Sequence, residues 1–228
     1  MVEITFDLET IPSQKPGAYE KIRESIKHPG NISKPETIEK WYAENADIAA
    51  MELYRKQSFD GLYGEIISIA WTIDDGPIDV VYRYNGKDET RIIREFFDSI
   101  TSLLDKNGNR EFITKWIGHW LTGFDLRFLW QRCVVQGIKP PLRIPYDAKP
   151  WDDIVFDTKV AWTGLGQYSG VGKLDALAQA FGMDGKGDLD GSKVYDYWLA
   201  GRIEEIAEYN KADVKKTREL YKLMNFIT

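Results

Sequence analysis

Apolar and polar residues alternate from the start of the chain. Val2, Ile4, Phe6 and Leu8 fall on one side of residues 2 to 9, and Glu3, Thr5, Asp7 and Glu9 on the other. A period of two predicts a strand. Gly64 to Ile73 and Pro77 to Tyr84 are two further β-rich runs, with Asp74-Asp-Gly76 between them as a hairpin turn. Over residues 88 to 105 the period changes: Ile92, Ile93, Phe96, Phe97, Ile100, Leu103 and Leu104 sit at helical spacing. A short strand is expected from Phe112 to Gly118. The next helix starts near Phe124, since Leu126, Leu129, Trp130, Cys133 and Val134 form one stripe. Residues 137 to 151 hold four prolines and read as a loop. A short strand is predicted from Ile154 to Lys159, then helices over 173–181, 192–200 and 202–224.

Residues 11 to 60 break this rhythm. Pro12, Pro16, Pro29, Gly30 and Pro35 divide them into a loop and two helices, the second running through Trp41 and Ala49 to Tyr54. Eight Lys/Arg balance eight Asp/Glu there. The segment reads as a helical insertion after the first strand. Strands first, then strands alternating with helices, predict an α/β fold with a mixed sheet, and residues 1–228 read as a single domain.

Composition narrows the class. A chain of 228 residues with 43% hydrophobic and 29% charged residues can bury a core without cross-links. Cys133 is the only cysteine, which excludes a disulfide scaffold and a cysteine-based zinc site and favours a reducing, cytoplasmic setting. His28 and His119 are the only histidines and are far apart in sequence. No apolar run approaches the length of a membrane span, and the opening residues are unlike a signal peptide, so no membrane association is expected. A net charge of −6 argues against a protein that coats nucleic acid.

Three segments carry candidate chemistry and change the meaning of that charge. Asp7-Leu-Glu9 places two carboxylates on one face at the end of a strand. Like charges this close resist joint ionisation unless a hard divalent cation neutralises them. Gly118-His-Trp-Leu-Thr-Gly-Phe-Asp125 follows a strand, and Asp125 opens a helix whose dipole suits a carboxylate. Tyr209-Asn-Lys-Ala-Asp213 sits on the last helix, where i and i+4 stack side by side. Ile203, Ala207, Val214, Thr217 and Tyr221 supply its core stripe. Gly164-x-Gly and Gly170-x-Gly-Lys173 fail as phosphate loops, because Gln167 and Leu174 stand where Gly and Ser or Thr are required. Asp188-Leu-Asp-Gly191 fails as a calcium loop, with Lys186 and Tyr197 at ligand positions.

Asp, Glu, Asp and Asp at a strand end, a helix start and a late helix resemble the DEDD 3′→5′ exonuclease superfamily. Phe6-Asp-Leu-Glu-Thr10 is similar to its first motif, Gly123-Phe-Asp-Leu-Arg-Phe-Leu129 to its second, and Tyr209-x-x-x-Asp213-Val-x-x-Thr217 to its third. The resemblance covers residues 2 to 223, poorly over 11 to 60. Gly185-Lys-Gly, Asp190-Gly-Ser and Gly201-Arg-Ile-Glu-Glu-Ile also resemble bacterial and phage proteins related to the proofreading domain of family B DNA polymerases. Tyr209 stands where the tyrosine branch has its water-orienting residue, and Glu208 where the histidine branch has histidine. One position departs: Trp120 replaces an Asn that directly follows the His in the second motif. A tryptophan there either stacks on a base or packs into the core.

The resemblance implies a ribonuclease H-like mixed sheet flanked by helices, and hydrolysis assisted by two divalent cations, Mg²⁺ or Mn²⁺. It implies that Asp7 bridges both ions, that Glu9 and Asp213 hold the one activating water, and that Asp125 holds the second. Tyr209 would position the water, and Thr10 and Phe124 would lie beside the terminal nucleotide. The substrate would be the 3′ end of DNA, preferably single-stranded, and the products nucleoside 5′-monophosphates. The alternatives are the same chemistry on RNA, a non-catalytic nucleic-acid-binding domain, and a subunit whose residues 11–60 dock a replication or repair partner. Lys139, Arg143, Lys149, Arg127, Arg132, Lys211, Lys215 and Lys216 are candidate phosphate contacts, each more often a solvated charge. Four of the 36 acids belong to the motifs, so two dications would reverse the local sign where a phosphate must sit.

Overall fold

The alternating segment forms β1 (Val2–Ile11) in the computed structural model, which describes residues 2–84, 88–106, 113–149, 151–164, 171–183 and 189–227. Its sheet partners are β2 (Glu65–Ile73), β3 (Asp79–Tyr82), β4 (Ile113–Gly118) and β5 (Val155–Asp157), in the order β3-β2-β1-β4-β5. β1 runs antiparallel to β2 and parallel to β4; β2 and β3 form the expected hairpin, and β4 pairs with β5 in parallel. The sheet is therefore mixed, as the element order requires. β3 is shorter than predicted, beginning two residues after Pro77, whose missing N–H cannot join a ladder.

Both faces of β1 are covered. Ile4, Phe6 and Leu8 pack against Ile92, Ile93 and Phe96 of α3 (Glu89–Lys106) and Leu126 and Leu129 of α4 (Asp125–Val135). The polar face is not solvated: α8 (Ile203–Met224) crosses β1 and β2 there. Thr5 is buried, and the Tyr221 hydroxyl donates to Glu3 at 2.7 Å. The register of β1 against β2 shifts between Glu9 and Thr10. Such bulges re-aim side chains at strand ends.

The strand expected over 154–159 ends at Asp157. Its carboxylate accepts the backbone N–H groups of Lys159 and Val160 and so caps α5 (Thr158–Thr163), a helix the sequence reading missed. Between α5 and α8 lie α6 (Leu174–Ala180) and α7 (Val194–Leu199). Residues 165–170 and Gly185-Lys-Gly187 lie outside the described residues.

The insertion matches its prediction, with α1 (Ala18–Ser25), α2 (Pro35–Lys56) and a 3₁₀ turn at Gln57–Phe59. Ile26, Ala46 and Ala50 form its own small core with Tyr19, Ile22 and Trp41. It is tied to β1 by the Thr10 hydroxyl, which donates to the Ser58 carbonyl at 2.7 Å, and it closes on its own first residues where the Tyr54 hydroxyl donates to the Ser13 carbonyl at 2.6 Å. Among the described residues, no helix is long and apolar enough to cross a membrane.

Candidate active site

Three of the four motif carboxylates converge. One oxygen each from Asp7, Glu9 and Asp213 lies within 4.8 Å of the others. β1 supplies the first two through its period of two, and α8 brings Asp213 across the same face. Opposite them on β2 stand Ala70 and Ser68 in register with Asp7 and Glu9, small residues that leave room for the acids. Asp125, at the first residue of α4, is buried and raises the proton affinity of Glu9, but its oxygens are not part of that tight group.

Burial pushes Asp7, Glu9 and Asp125 well above the ordinary carboxylate range, and their mutual repulsion adds to it. Asp213 is also raised by burial, while Lys216 opposes the shift. The Lys216 ammonium bridges Asp213 at 3.0 Å and Asp175 at 2.7 Å. Glu9 is only 8% exposed, and among the described residues no donor reaches its carboxylate. The cluster holds more negative charge than its protein partners neutralise.

Tyr209 lies beside Asp213 and feels the charge of Glu9, and burial with these neighbours keeps its phenol protonated far beyond the usual range. The adjacent Asn210 was missed in the sequence reading. It is fully buried, donates from Nδ2 to Asp7 Oδ2 at 2.7 Å, and accepts the Ser68 hydroxyl at 2.8 Å. The signal was present: the core stripe of α8 jumps from Ala207 to Val214, and residue 210 is the vacant step. An asparagine in a core stripe demands a buried partner. Were the cluster to hydrolyse phosphodiesters with Mg²⁺, as the resemblance implies, Asn210→Ala would lower the rate about 10- to 100-fold and raise the Mg²⁺ concentration needed for half activity, as loss of a group orienting a ligand does. A metal titration of the rate checks both.

The second-motif loop hangs from Asp157. That carboxylate accepts the N–H groups of Trp120 and Thr122 at 3.0 Å and the Thr122 hydroxyl at 2.8 Å. His119 is held by Thr158 at 2.9 Å, and burial pushes it down to about 4, so it is neutral near pH 7. Trp120 sits at φ 64°, a left-handed conformation that Asn tolerates and that costs most other residues about 1–2 kcal/mol. One face of its ring stacks on Phe124 (6.0 Å, 17°), and Lys159 Nζ covers the ring at 4.4 Å. It packs within the protein rather than offering a free face to a base. A Cβ at Gly123 would come within 2.1 Å of its Nε1, which explains the glycine.

Phe124 also contacts Phe59 edge-on at 6.2 Å, and Phe59 is 66% exposed. The insertion thus adds an aromatic ring beside Phe124 and ties down Thr10, a contribution with no local signal in sequence. The basic candidates fall into different settings. Arg132 is buried in an ion pair with Glu89, Lys211 pairs with Glu208, Arg143 with Asp147, and Lys216 serves the carboxylates. Lys149 and Arg127 line a surface cavity with Lys159.

A family model described as a predicted 3′-5′ exonuclease related to the exonuclease domain of PolB matches residues 62–228. The match includes Asp125, Tyr209 and Asp213 and begins after Asp7 and Glu9. No curated protein matches. Among solved structures, the family B DNA polymerase of the hyperthermophilic archaeon Pyrobaculum calidifontis is similar, with a TM-score of 0.57 and 20% identity over 98% of this chain. The chain spans 24% of that polymerase, and at this identity the likeness is one of fold.

Proposed function

The chain belongs to the family of predicted 3′-5′ exonucleases related to the exonuclease domain of PolB, and on that premise we propose that it is a two-metal 3′-5′ exodeoxyribonuclease. Its substrate would be the 3′ end of single-stranded DNA and its product a nucleoside 5′-monophosphate. The observation that carries this reading is the convergence of Asp7, Glu9 and Asp213 oxygens within 4.8 Å in a buried, cation-poor setting. Hard oxygen donors without enough protein cations suit Mg²⁺ or Mn²⁺. Asp7, Glu9, Asp125 and Asp213 would hold the ions. Such ions supply an activated water and neutralise charge developing on the phosphate.

The side chains around them have separate tasks in this reading. Asn210, itself held by Ser68, fixes the rotamer of Asp7. Tyr209 keeps its proton, so it orients the attacking water as a hydrogen-bond partner and does not act as a general base. Lys216 balances Asp213 and Asp175. Phe124 and Phe59 present apolar surface to a terminal base, and Thr10 braces the strand end beside them.

One gel tests the proposal: 3′- and 5′-labelled single-stranded DNA, duplex DNA and RNA, each with Mg²⁺, Mn²⁺ or EDTA. Shortening of 5′-labelled single-stranded DNA from its 3′ end, absent in EDTA, is expected. Cleavage in EDTA would overturn the mechanism, and activity confined to RNA would replace the substrate. Tyr209→Phe is expected to reduce the rate by about 10²-fold, less than loss of a carboxylate, as removal of one positioned hydrogen-bonding group does. A rate equal to wild type across pH would remove the phenol from the mechanism.

A further inference from the structure

A cavity of about 230 Å³ lies beside the second-motif loop, between the start of α4, the loop at 148–149 and α5. Its walls include Trp120, Arg127, Lys149, Lys159 and Thr163. Three cationic side chains around one small cavity repel each other, and proteins normally temper such a group with carboxylates. Here, among the described residues, none of the three side-chain cations is ion-paired with a carboxylate; the nearby Asp152 carboxylate accepts the Lys149 backbone N–H at 2.8 Å. Lys159 rests over the Trp120 ring, and the Asp157 carboxylate below it is committed to backbone and Thr122 donors. The chain as a whole is acidic, which makes this local excess of positive charge more telling.

The position of the cavity gives it a direction. Trp120 stacks on Phe124, and Asp125 follows Phe124, so the cavity adjoins the catalytic end through one aromatic pair. On α5, Trp162 stands three residues after Lys159, hence on the same side of the helix. Its ring is 52% exposed and is braced edge-on by Phe181 at 5.6 Å. Unpaired cations beside an exposed, supported aromatic ring make up the combination that grips a single strand by phosphate charge and base stacking.

We propose that this cavity binds backbone phosphates of single-stranded DNA upstream of the 3′-terminal nucleotide, with Trp162 as a stacking surface for one base. The assignment rests on the exonuclease reading for its direction, yet its test stands apart. The full chain carrying Arg127→Gln, Lys149→Gln and Lys159→Gln is compared with wild type and with a control triple, Lys27→Gln, Lys34→Gln and Lys40→Gln, on the insertion. Binding of a 5′-fluorescein-labelled oligodeoxythymidylate is followed by anisotropy in Ca²⁺ over a salt series. Hydrolysis is measured in Mg²⁺ on the same oligonucleotide and on thymidine 5′-monophosphate p-nitrophenyl ester, which has no upstream strand.

The cavity triple is expected to bind the oligonucleotide at least about tenfold more weakly. Its log–log salt slope should be shallower by about 2, from three lost phosphate contacts at roughly 0.7 each. Its KM for the oligonucleotide rises while its rate on the small ester stays at the wild-type value. Trp162→Ala weakens binding without changing the salt slope. Unchanged affinity and slope overturn the site, as does an equal loss in the control triple or a parallel loss on the small ester. If wild type cleaves neither substrate, the exonuclease reading fails, and the anisotropy arm still decides the phosphate site.

Discussion

Asp7→Asn is expected to lower 3′-end hydrolysis by about 10³-fold or more while raising the melting temperature of the metal-free protein. Both effects follow from one piece of geometry. Asp7 is the carboxylate with neighbours on two sides, Asp213 of α8 and Glu9 of the same strand. Loss of its charge weakens the hold on cations worth several kcal/mol to a developing phosphate charge, and each 1.36 kcal/mol is a factor of ten in rate. Without cations, that same charge is a burden, because burial and Asp213 both oppose its ionisation. The amide oxygen of Asn is isosteric and can still accept the Asn210 proton, so no cavity and no orphaned donor is created. Relief of about 1 kcal/mol corresponds to a rise of roughly 2–4 °C for a chain of this size. Mg²⁺ should then stabilise wild type more than the variant, by mass action on the folded state. Calorimetry in EDTA and in Mg²⁺, with a rate on labelled oligonucleotide, measures all three. Wild-type turnover, or a lower melting point in EDTA, would refute the assignment. Asp213→Ala should also abolish turnover, but it frees Lys216 from one partner and is the less clean experiment.

What the sequence revealed, and what it withheld, divides by range. A period of two places Asp7 and Glu9 together, and a period of 3.6 places Tyr209 beside Asp213, because both relations are local. The element order was enough for a mixed α/β sheet. The proximity of β1 to α8 depends on the chain folding back across the sheet, and only the resemblance to a known superfamily suggested it. The covered polar face of β1 was illegible for the same reason: alternation is the usual mark of one solvated side, and α8 overrides it. Trp120 shows a subtler limit. Its residue type suggested packing, and it does pack, but the left-handed backbone beneath it comes from the tethers to Asp157, a residue 37 positions away. The predicted strand ends early because Asp157, the last paired residue of β5, turns its side chain to cap the helix that begins at Thr158.

Arg132→Ala is expected to cost about 3–5 kcal/mol of stability, against a total of roughly 5–15 kcal/mol for a domain, and to leave the affinity for oligonucleotide unchanged in the fraction that stays folded. From sequence, position 132 is one candidate phosphate contact on the helix after Asp125, and more often a solvated charge. The fold turns it inward, where it is 1% exposed. Its Nε and Nη2 meet the two oxygens of Glu89 at 2.8 and 2.6 Å, and its Nη1 donates to the Gly61 carbonyl at 3.0 Å. Glu89 also accepts the Ile66 N–H at 2.8 Å and the Gln136 amide. One ion pair thereby joins α3, α4, β2 and the loop leaving the insertion. Removal of the guanidinium leaves a buried carboxylate with two weaker donors, and the penalty is that stranded charge more than the lost attraction. Arg132→Lys should recover only part, because an ammonium cannot make the forked contact and reach Gly61 together. The double variant Glu89→Leu/Arg132→Met should melt above Arg132→Ala, since no charge is stranded, yet below wild type, since Ile66 and Gly61 lose their partners. Denaturant unfolding of wild type, Glu89→Leu, Arg132→Met and the double variant gives the coupling directly. If Arg132→Ala unfolds at the wild-type midpoint and its KM for DNA rises instead, Arg132 contacts the strand and the buried network carries no stability.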